Sequence, residues 1–204
     1  MVELSEKIND SHSAKEGQIQ IPSSQDGSSI VLQNGVLDID KAIAHLGAIK
    51  DNVEIEEGER PPTIFVGIAG GTASGKTTVC EEIFARVRVG DYKQSTLIPL
   101  DCFYKECTEE QMENIGKVNF DHPSMFDWDL VKETFRKLKR GEDVIIPDYN
   151  YITCKRNNPG LYRKWSPLII FEGIFGLYDN EVNEQMDLKI FVHTDDDIRL
   201  ARRL

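Results

Sequence analysis

From Gly70 the chain reads Gly-Gly-Thr-Ala-Ser-Gly-Lys-Thr to Thr77, which satisfies GxxxxGK[ST]. The run lies between an apolar stretch, Ile64 to Ile68, and an amphipathic stretch opening at Lys76, the strand–loop–helix setting that the motif requires. In that setting Gly70, Gly71, Thr72, Ala73, Ser74, Gly75, Lys76, Thr77 and Thr78 form a candidate polyphosphate cradle. The glycines let successive backbone N–H groups turn toward the anion at a helix N-terminus, where the dipole favours negative charge. Lys76 adds a point charge at the β- and γ-phosphates, and the Thr77 hydroxyl can complete a Mg²⁺ shell, since that cation prefers oxygen ligands. The competing reading is a glycine-rich turn that binds nothing. GxGxxG, the dinucleotide fingerprint, does not occur here.

Binding a nucleoside triphosphate does not say where its γ-phosphate goes, so the acceptor side needs its own residues. Asp101 follows the apolar run Leu97 to Leu100, which places its carboxylate at the carboxyl edge of a sheet, where it can accept a hydroxyl proton. Glu172 ends the most apolar run, Leu168 to Phe171, where P-loop proteins place a carboxylate beside Mg²⁺. Asp121, within Asn119-Phe120-Asp121-His122-Pro123, suits a bidentate grip on vicinal hydroxyls. Solvated strand ends or helix caps are the alternative for all three. No NKxD run supports a guanine site, and no water-positioning group supports a hydrolase. His12, His45, His122 and His193 lack metal-ligand spacing.

The elements that must position these groups alternate. Unbroken apolar runs at Ile64, Leu97, Val144, Leu168 and Leu188 suit a parallel sheet buried on both faces. Helical patterns run from Lys76 to about Val87, from Asp129 to Lys139 with Leu130, Phe135 and Leu138 inward and Gly141 closing it, and from Ile198 to Leu204. The expected class is α/β, three layers. Between Pro147 and Trp165 the composition turns aromatic and basic, with Tyr149, Tyr151, Lys155, Arg156, Tyr162, Arg163 and Lys164, which predicts a β-hairpin offering rings to a planar ligand or packing them on itself.

With 204 residues the chain can bury one core. Lys and Arg number 24 against 35 Asp and Glu, and the net charge of -11 argues against a nucleic-acid partner. Residues 1–60 hold 12 acids and 5 bases and form an acidic leader, mostly disordered from Ser11 to Ser29. Within it, Ile30 to Leu32 could form a short strand. Asp38 could cap a helix carrying Ile39, Ala42, Ile43 and Leu46 that docks loosely. The folded domain is expected over 61–204. Four cysteines without CxxC pairs and no basic-then-apolar leader point to a reducing, cytoplasmic setting, without disulfides or structural zinc. No apolar run reaches the roughly 20 residues of a membrane span.

Taken with the P-loop, the segments Leu100 to Tyr104, Asn119 to Pro123, Ile146 to Tyr149, Phe171 to Ile174 and Thr194 to Arg203 make the chain resemble the uridine/cytidine kinases from about Pro62 to Leu204. The resemblance implies a P-loop NTPase fold with a parallel sheet and a small β-hairpin nucleoside-binding lobe. It also implies transfer of the γ-phosphate of ATP or GTP to the 5′-hydroxyl of uridine or cytidine, giving UMP or CMP in pyrimidine salvage, by a homo-oligomer, usually a tetramer. Asp101 then matches the base, with Lys76 as the other catalytic group. Asp121 matches the ribose contact, Tyr104, Phe120 and Tyr149 the nucleoside pocket, Thr77 and Glu172 the Mg²⁺ positions, and Arg203 a substrate-contacting arginine. Where the family commonly carries a His that reads the pyrimidine edge, this chain has Cys154, a weaker hydrogen-bonding group. The chain also ends before the family's Arg-rich lid, so a C-terminally truncated domain is expected. Two alternatives are a phosphoribulokinase-like sugar-phosphate kinase, disfavoured by the aromatic hairpin, and a non-catalytic nucleotide-binding module.

Overall fold

A computed structural model describes residues 29–33, 39–51, 61–89 and 95–204. Five parallel strands form the main sheet: β1 (Ser29–Gln33), β2 (Ile64–Gly70), β3 (Ser95–Pro99), β6 (Leu168–Gly173) and β7 (Leu188–His193), in the order β1-β7-β2-β6-β3. β2 lies at the centre with all seven residues buried, which is why its sequence is continuously apolar rather than alternating.

Successive β2 side chains point to opposite faces and so feed two cores. Ile64, Val66 and Ile68 pack under α2 (Lys76–Val89) with Val79 and Ile83, while Phe65 packs on the other face. There its ring stacks on Phe135 of α4 (Trp128–Lys139) with centroids 4.8 Å apart, and Phe135 meets Phe171 edge-on at 5.0 Å. Helices on both faces of a parallel sheet make the expected three layers. α4 begins at Trp128 because Asp127 caps it, its carboxylate accepting from the Leu130 N–H at 3.2 Å. It ends where Gly141 turns at φ +76°. The short helices are α3 (Glu109–Glu113), α5 (Asn180–Asn183) and α6 (Asp196–Ala201).

The structure revises three expectations. Val144 to Ile146 does not enter the parallel sheet; it opens β4 (Val144–Asn150), which pairs antiparallel with β5 (Lys155–Arg163) as a separate hairpin. Only one face of that hairpin is covered, so Ile145 stands 65% exposed between buried Val144 and Ile146. The final helix starts at Asp196, earlier than Ile198, because acids favour its first turn, and it stops at Ala201. The leader's short strand and helix, expected to dock loosely outside the domain, are built into it. β1 lines the edge of the main sheet beside β7, and α1 (Ile39–Asp51) buries Ala42 and Leu46, each 1% exposed, in the core beneath α2. Ala42 and Leu46 lie on one helical face, and that stripe closes the outer layer. The segment Ser11 to Ser28, the Asp38 cap and the linker 54–60 lie outside the described residues. Among the described residues no helix is long and apolar enough to cross a membrane.

Candidate active site

The loop from Gly71 to Gly75 joins β2 to α2 with left-handed backbone at Ala73 (φ 62°) and Gly75 (φ 99°), which turns the chain into the helix. A side chain at Gly70 would collide with the Val192 carbonyl, which is fixed in the sheet, so that position needs glycine, whereas at Gly71 it would meet the Arg199 guanidinium, the flexible end of a side chain that can swing aside. From the β7 end, the Thr194 hydroxyl donates to the Ser74 carbonyl at 2.9 Å and fixes the loop's outer wall. The Ser74 hydroxyl itself is buried with no hydrogen-bond partner among the described residues, a polar group left available inside the loop.

Two cavities adjoin this loop. One, of about 430 Å³, runs along Ala73 to Val79 with Arg202 on its rim; the other, of about 330 Å³, lies between Gly70 to Thr72, Asp121, Phe175 and Arg199. Lys76 donates to the Gly71 carbonyl at 3.1 Å, folding its ammonium back over the loop where a phosphate would sit. Burial lowers its pKa below the ordinary lysine value, opposed by Glu172 and Asp101. Those acids respond in turn. Burial raises the Asp101 carboxyl above its usual range, against Lys76 and with Asp121, and it raises Glu172, to which Asp101 adds and which Lys76 opposes. A cation and two carboxyls sharing a half-buried site at the carboxyl ends of parallel strands is the arrangement ligand sites of open α/β sheets use.

The register explains how the acids meet. Glu172 of β6 pairs with Ile68 of β2 on one side and with Pro99 of β3 on the other, so it sits between the strand that feeds the cradle and the strand that leads to Asp101. β3 ends at Pro99, and Asp101 occupies a 3₁₀ turn, Leu100–Phe103, rather than the strand. That turn carries buried Leu100 and Phe103 into the core and leaves Asp101 at the sheet edge. Thr77 and Glu172 line one cavity of about 350 Å³. A hydroxyl and a carboxylate are oxygen donors that suit Mg²⁺, whose remaining positions phosphate oxygens and water can fill. Among the described residues no group of three or more His, Cys, Asp or Glu is gathered at one place.

On the other side of Asp101 the aromatics converge. The Tyr104 ring lies 5.3 Å from Tyr149, 6.2 Å from Tyr151 and 6.2 Å from Phe120, and its hydroxyl donates to the Phe120 carbonyl at 3.4 Å. Tyr151, 62% exposed, joins this cluster as one of the hairpin rings the composition points to, although the family resemblance assigns it no role. Cys154 is 5% exposed, with its thiol facing the Tyr151 carbonyl at 3.7 Å and adjoining Cys107 and Tyr149, an interior place rather than an open wall. Asp121 is exposed on its loop, its N–H received by Asn119 Oδ1 at 3.1 Å, and it lines the cavity that holds Arg199.

The three arginines at the end of α6 take different places. Arg203 is exposed and lines neither cavity beside the cradle, whereas Arg199 and Arg202 do, Arg202 donating to the Ala73 carbonyl at 3.2 Å. Arg199 also pairs with Asp196 one turn earlier. Spacing contained the signal, because residues three apart share a helix face and the tandem Arg202-Arg203 cannot.

Comparison with known proteins agrees with this geometry. Residues 65–204 match the sequence profile described as "Phosphoribulokinase / Uridine kinase family". The chain is 45% identical over 140 residues to uridine-cytidine kinase B of Dictyostelium discoideum, covering 69% of this chain and 56% of that protein. It is 42% identical over 147 residues to the uridine kinase of Halalkalibacterium halodurans, covering 72% and 67% respectively. It therefore spans little more than half of the first of these relatives. Among solved structures, one described as a possible uridine kinase from Bacillus stearothermophilus superposes with a TM-score of 0.58 at 19% identity, covering 81% of this chain and 87% of that one, a likeness of fold. With the P-loop, the β6 carboxylate and a profile match over most of its length, the chain belongs to the phosphoribulokinase/uridine kinase family.

Proposed function

We propose that the protein is a uridine/cytidine kinase, transferring the γ-phosphate of ATP or GTP to the nucleoside 5′-hydroxyl to give UMP or CMP in pyrimidine salvage. The observation that carries this reading is the position of Asp101, which shares the charge site of Lys76 and Glu172 on one side and lies three residues from Tyr104, the hub of the aromatic cluster, on the other. A phosphoryl acceptor that is both planar and hydroxylated fits between them.

In this reading Asp101 accepts the 5′-hydroxyl proton. Burial moves its pKa up toward working pH and Lys76 keeps the carboxylate form accessible, the combination that suits a general base. Lys76, with the backbone N–H groups of the cradle, holds the migrating phosphoryl group. Arg199 and Arg202 add positive charge beside it, as phosphoryl transfer requires. Asp121 holds the ribose hydroxyls and Tyr104, Phe120 and Tyr149 pack the base. Thr77 and Glu172 would hold Mg²⁺, which when bound neutralises phosphate charge. An assembly of several copies working in the cytoplasm, which the resemblance to uridine/cytidine kinases implies, completes the reading.

A panel of acceptors offered with Mg²⁺ and ATP or GTP to the whole protein tests the reading. Turnover of uridine and cytidine, well above that of purine nucleosides and sugar phosphates, is the expected result. Preferential turnover of a pentose phosphate would overturn it in favour of sugar-phosphate chemistry.

A further inference from the structure

Between the catalytic turn and the hairpin one guanidinium gathers three chain segments. Arg156 of β5 donates through Nε to the Tyr104 carbonyl at 3.0 Å, through Nη2 to the Phe103 carbonyl at 3.4 Å, and through both Nη1 and Nη2 to Asp127 Oδ2 at 3.1 Å. Its backbone N–H is received by Glu106 Oε1 at 2.9 Å. The pair is sheltered, the side chains being 25% and 29% exposed, unlike the surface pair of Arg136 and Glu181 at 53% and 47%. Asp127 works in two directions: its other oxygen caps α4, and its N–H donates to the Phe103 carbonyl at 2.9 Å. Two more main-chain bonds run alongside, Lys105 N–H to the Met125 carbonyl at 2.8 Å and Cys107 N–H to the Cys154 carbonyl at 3.0 Å.

We propose that Arg156 is a positioning residue that sets the acceptor side of the site, clamping the Asp101–Tyr104 turn between the cap of α4 and the hairpin. Among the described residues the turn has no strand partner beyond the Tyr104–Phe126 bridge, so besides its buried Leu100 and Phe103 its orientation depends on what holds its carbonyls. A planar fork with several donors can bind two carbonyls and a carboxylate at once. Among the described residues the hydrogen bonds and ion pair of Arg156 all go to the acceptor side, to Phe103, Tyr104, Glu106 and Asp127, so its effect belongs to the acceptor and not to the donor. The activity readout rests on the nucleoside-kinase reading; a structural readout does not.

The test compares Arg156→Met and Arg156→Lys with the unaltered full-length protein. Amide hydrogen exchange at Cys107 and Asp127 should quicken by about tenfold or more in the Met variant while β2 and α2 amides keep their rates, since the opening is local. For the same variant KM for the nucleoside should rise by about tenfold with kcat and the ATP KM within about threefold, the pattern of lost substrate positioning. Lys should restore part of both effects, because an ammonium can reach Asp127 but cannot fork onto the carbonyls. Unchanged exchange at both amides, or equal rises in the two KM values, would overturn the proposal. If the Met variant does not fold, Asp127→Asn, which keeps an N-cap acceptor and removes the charge, should shift both readouts in the same direction; no shift overturns it. Should the unaltered protein turn over no nucleoside, the functional reading falls while the exchange measurement still decides the role of Arg156.

Discussion

Leu46→Ala measures whether the first helix belongs to the folded unit. Leu46 is 1% exposed and sits among Ile64, Val66, Val79 and Ile83, under the helix whose first turn carries Lys76 and Thr77. Truncation removes about three methylene-sized groups at about 0.8 kcal/mol each, and the cavity left behind adds about 1 kcal/mol more, so the expected loss is about 2.5–4 kcal/mol. That is a large fraction of the stability of a single domain. Urea unfolding followed by circular dichroism reads it as a lower midpoint at an unchanged m-value. Exposed Ala44→Gln, on the opposite face of α1, is the control and should stay within about 0.5 kcal/mol. A loss below about 1 kcal/mol for Leu46→Ala would refute the packing argument and return α1 to a loosely docked appendage. Deleting 1–55 should by the same logic remove β1 from beside β7 and expose the α2 core, and so lower the stability of the fold.

Two further outcomes follow from the charge site. Lys76→Ala should abolish the rise in melting temperature produced by ATP with Mg²⁺ and lower turnover by on the order of 10²-fold or more, read by thermal melts and steady-state kinetics. Asp101→Asn should lower kcat by roughly 10²- to 10⁴-fold with donor binding retained. It should also stabilise the fold at pH 7, because a carboxyl whose pKa is raised on folding binds more protons folded than unfolded, so the unaltered protein loses stability as pH rises from the ordinary carboxylate range through that raised value. The difference in melting temperature between the two should therefore vanish near pH 3, where Asp101 is protonated in both states. A variant less stable than the parent at pH 7 would reverse the sign and sink the buried-charge account.

The parts of the fold and site that the sequence declares are those whose cause is local. A central strand is buried on both faces whatever its neighbours are, so β2 and β6 show as unbroken apolar runs. The cradle is a backbone requirement, met by glycines at fixed offsets, and Asp101 and Glu172 follow apolar runs because the carboxyl edge is where such runs end. What escapes is set by partners from elsewhere in the chain. Val144 to Ile146 is as apolar as a short parallel strand, and only β5 pairing with it antiparallel reveals which face is dry. Ile30 to Leu32 reads as a strand, but nothing near it names β7 as its neighbour. Arg199 and Arg203 look alike until the first turn of α6 is placed against Gly71, which sends one toward the cradle and the other to solvent. Arg156 is the sharpest instance: beside Lys155 it reads as one more hairpin charge, and its meaning lies in carbonyls of Phe103 and Tyr104 that have no residue-type signature at all. Side-chain chemistry can be read from a sequence, but a backbone carbonyl becomes a binding partner only when the fold presents it, so the groups that do the chemistry are visible early and the groups that aim them are not.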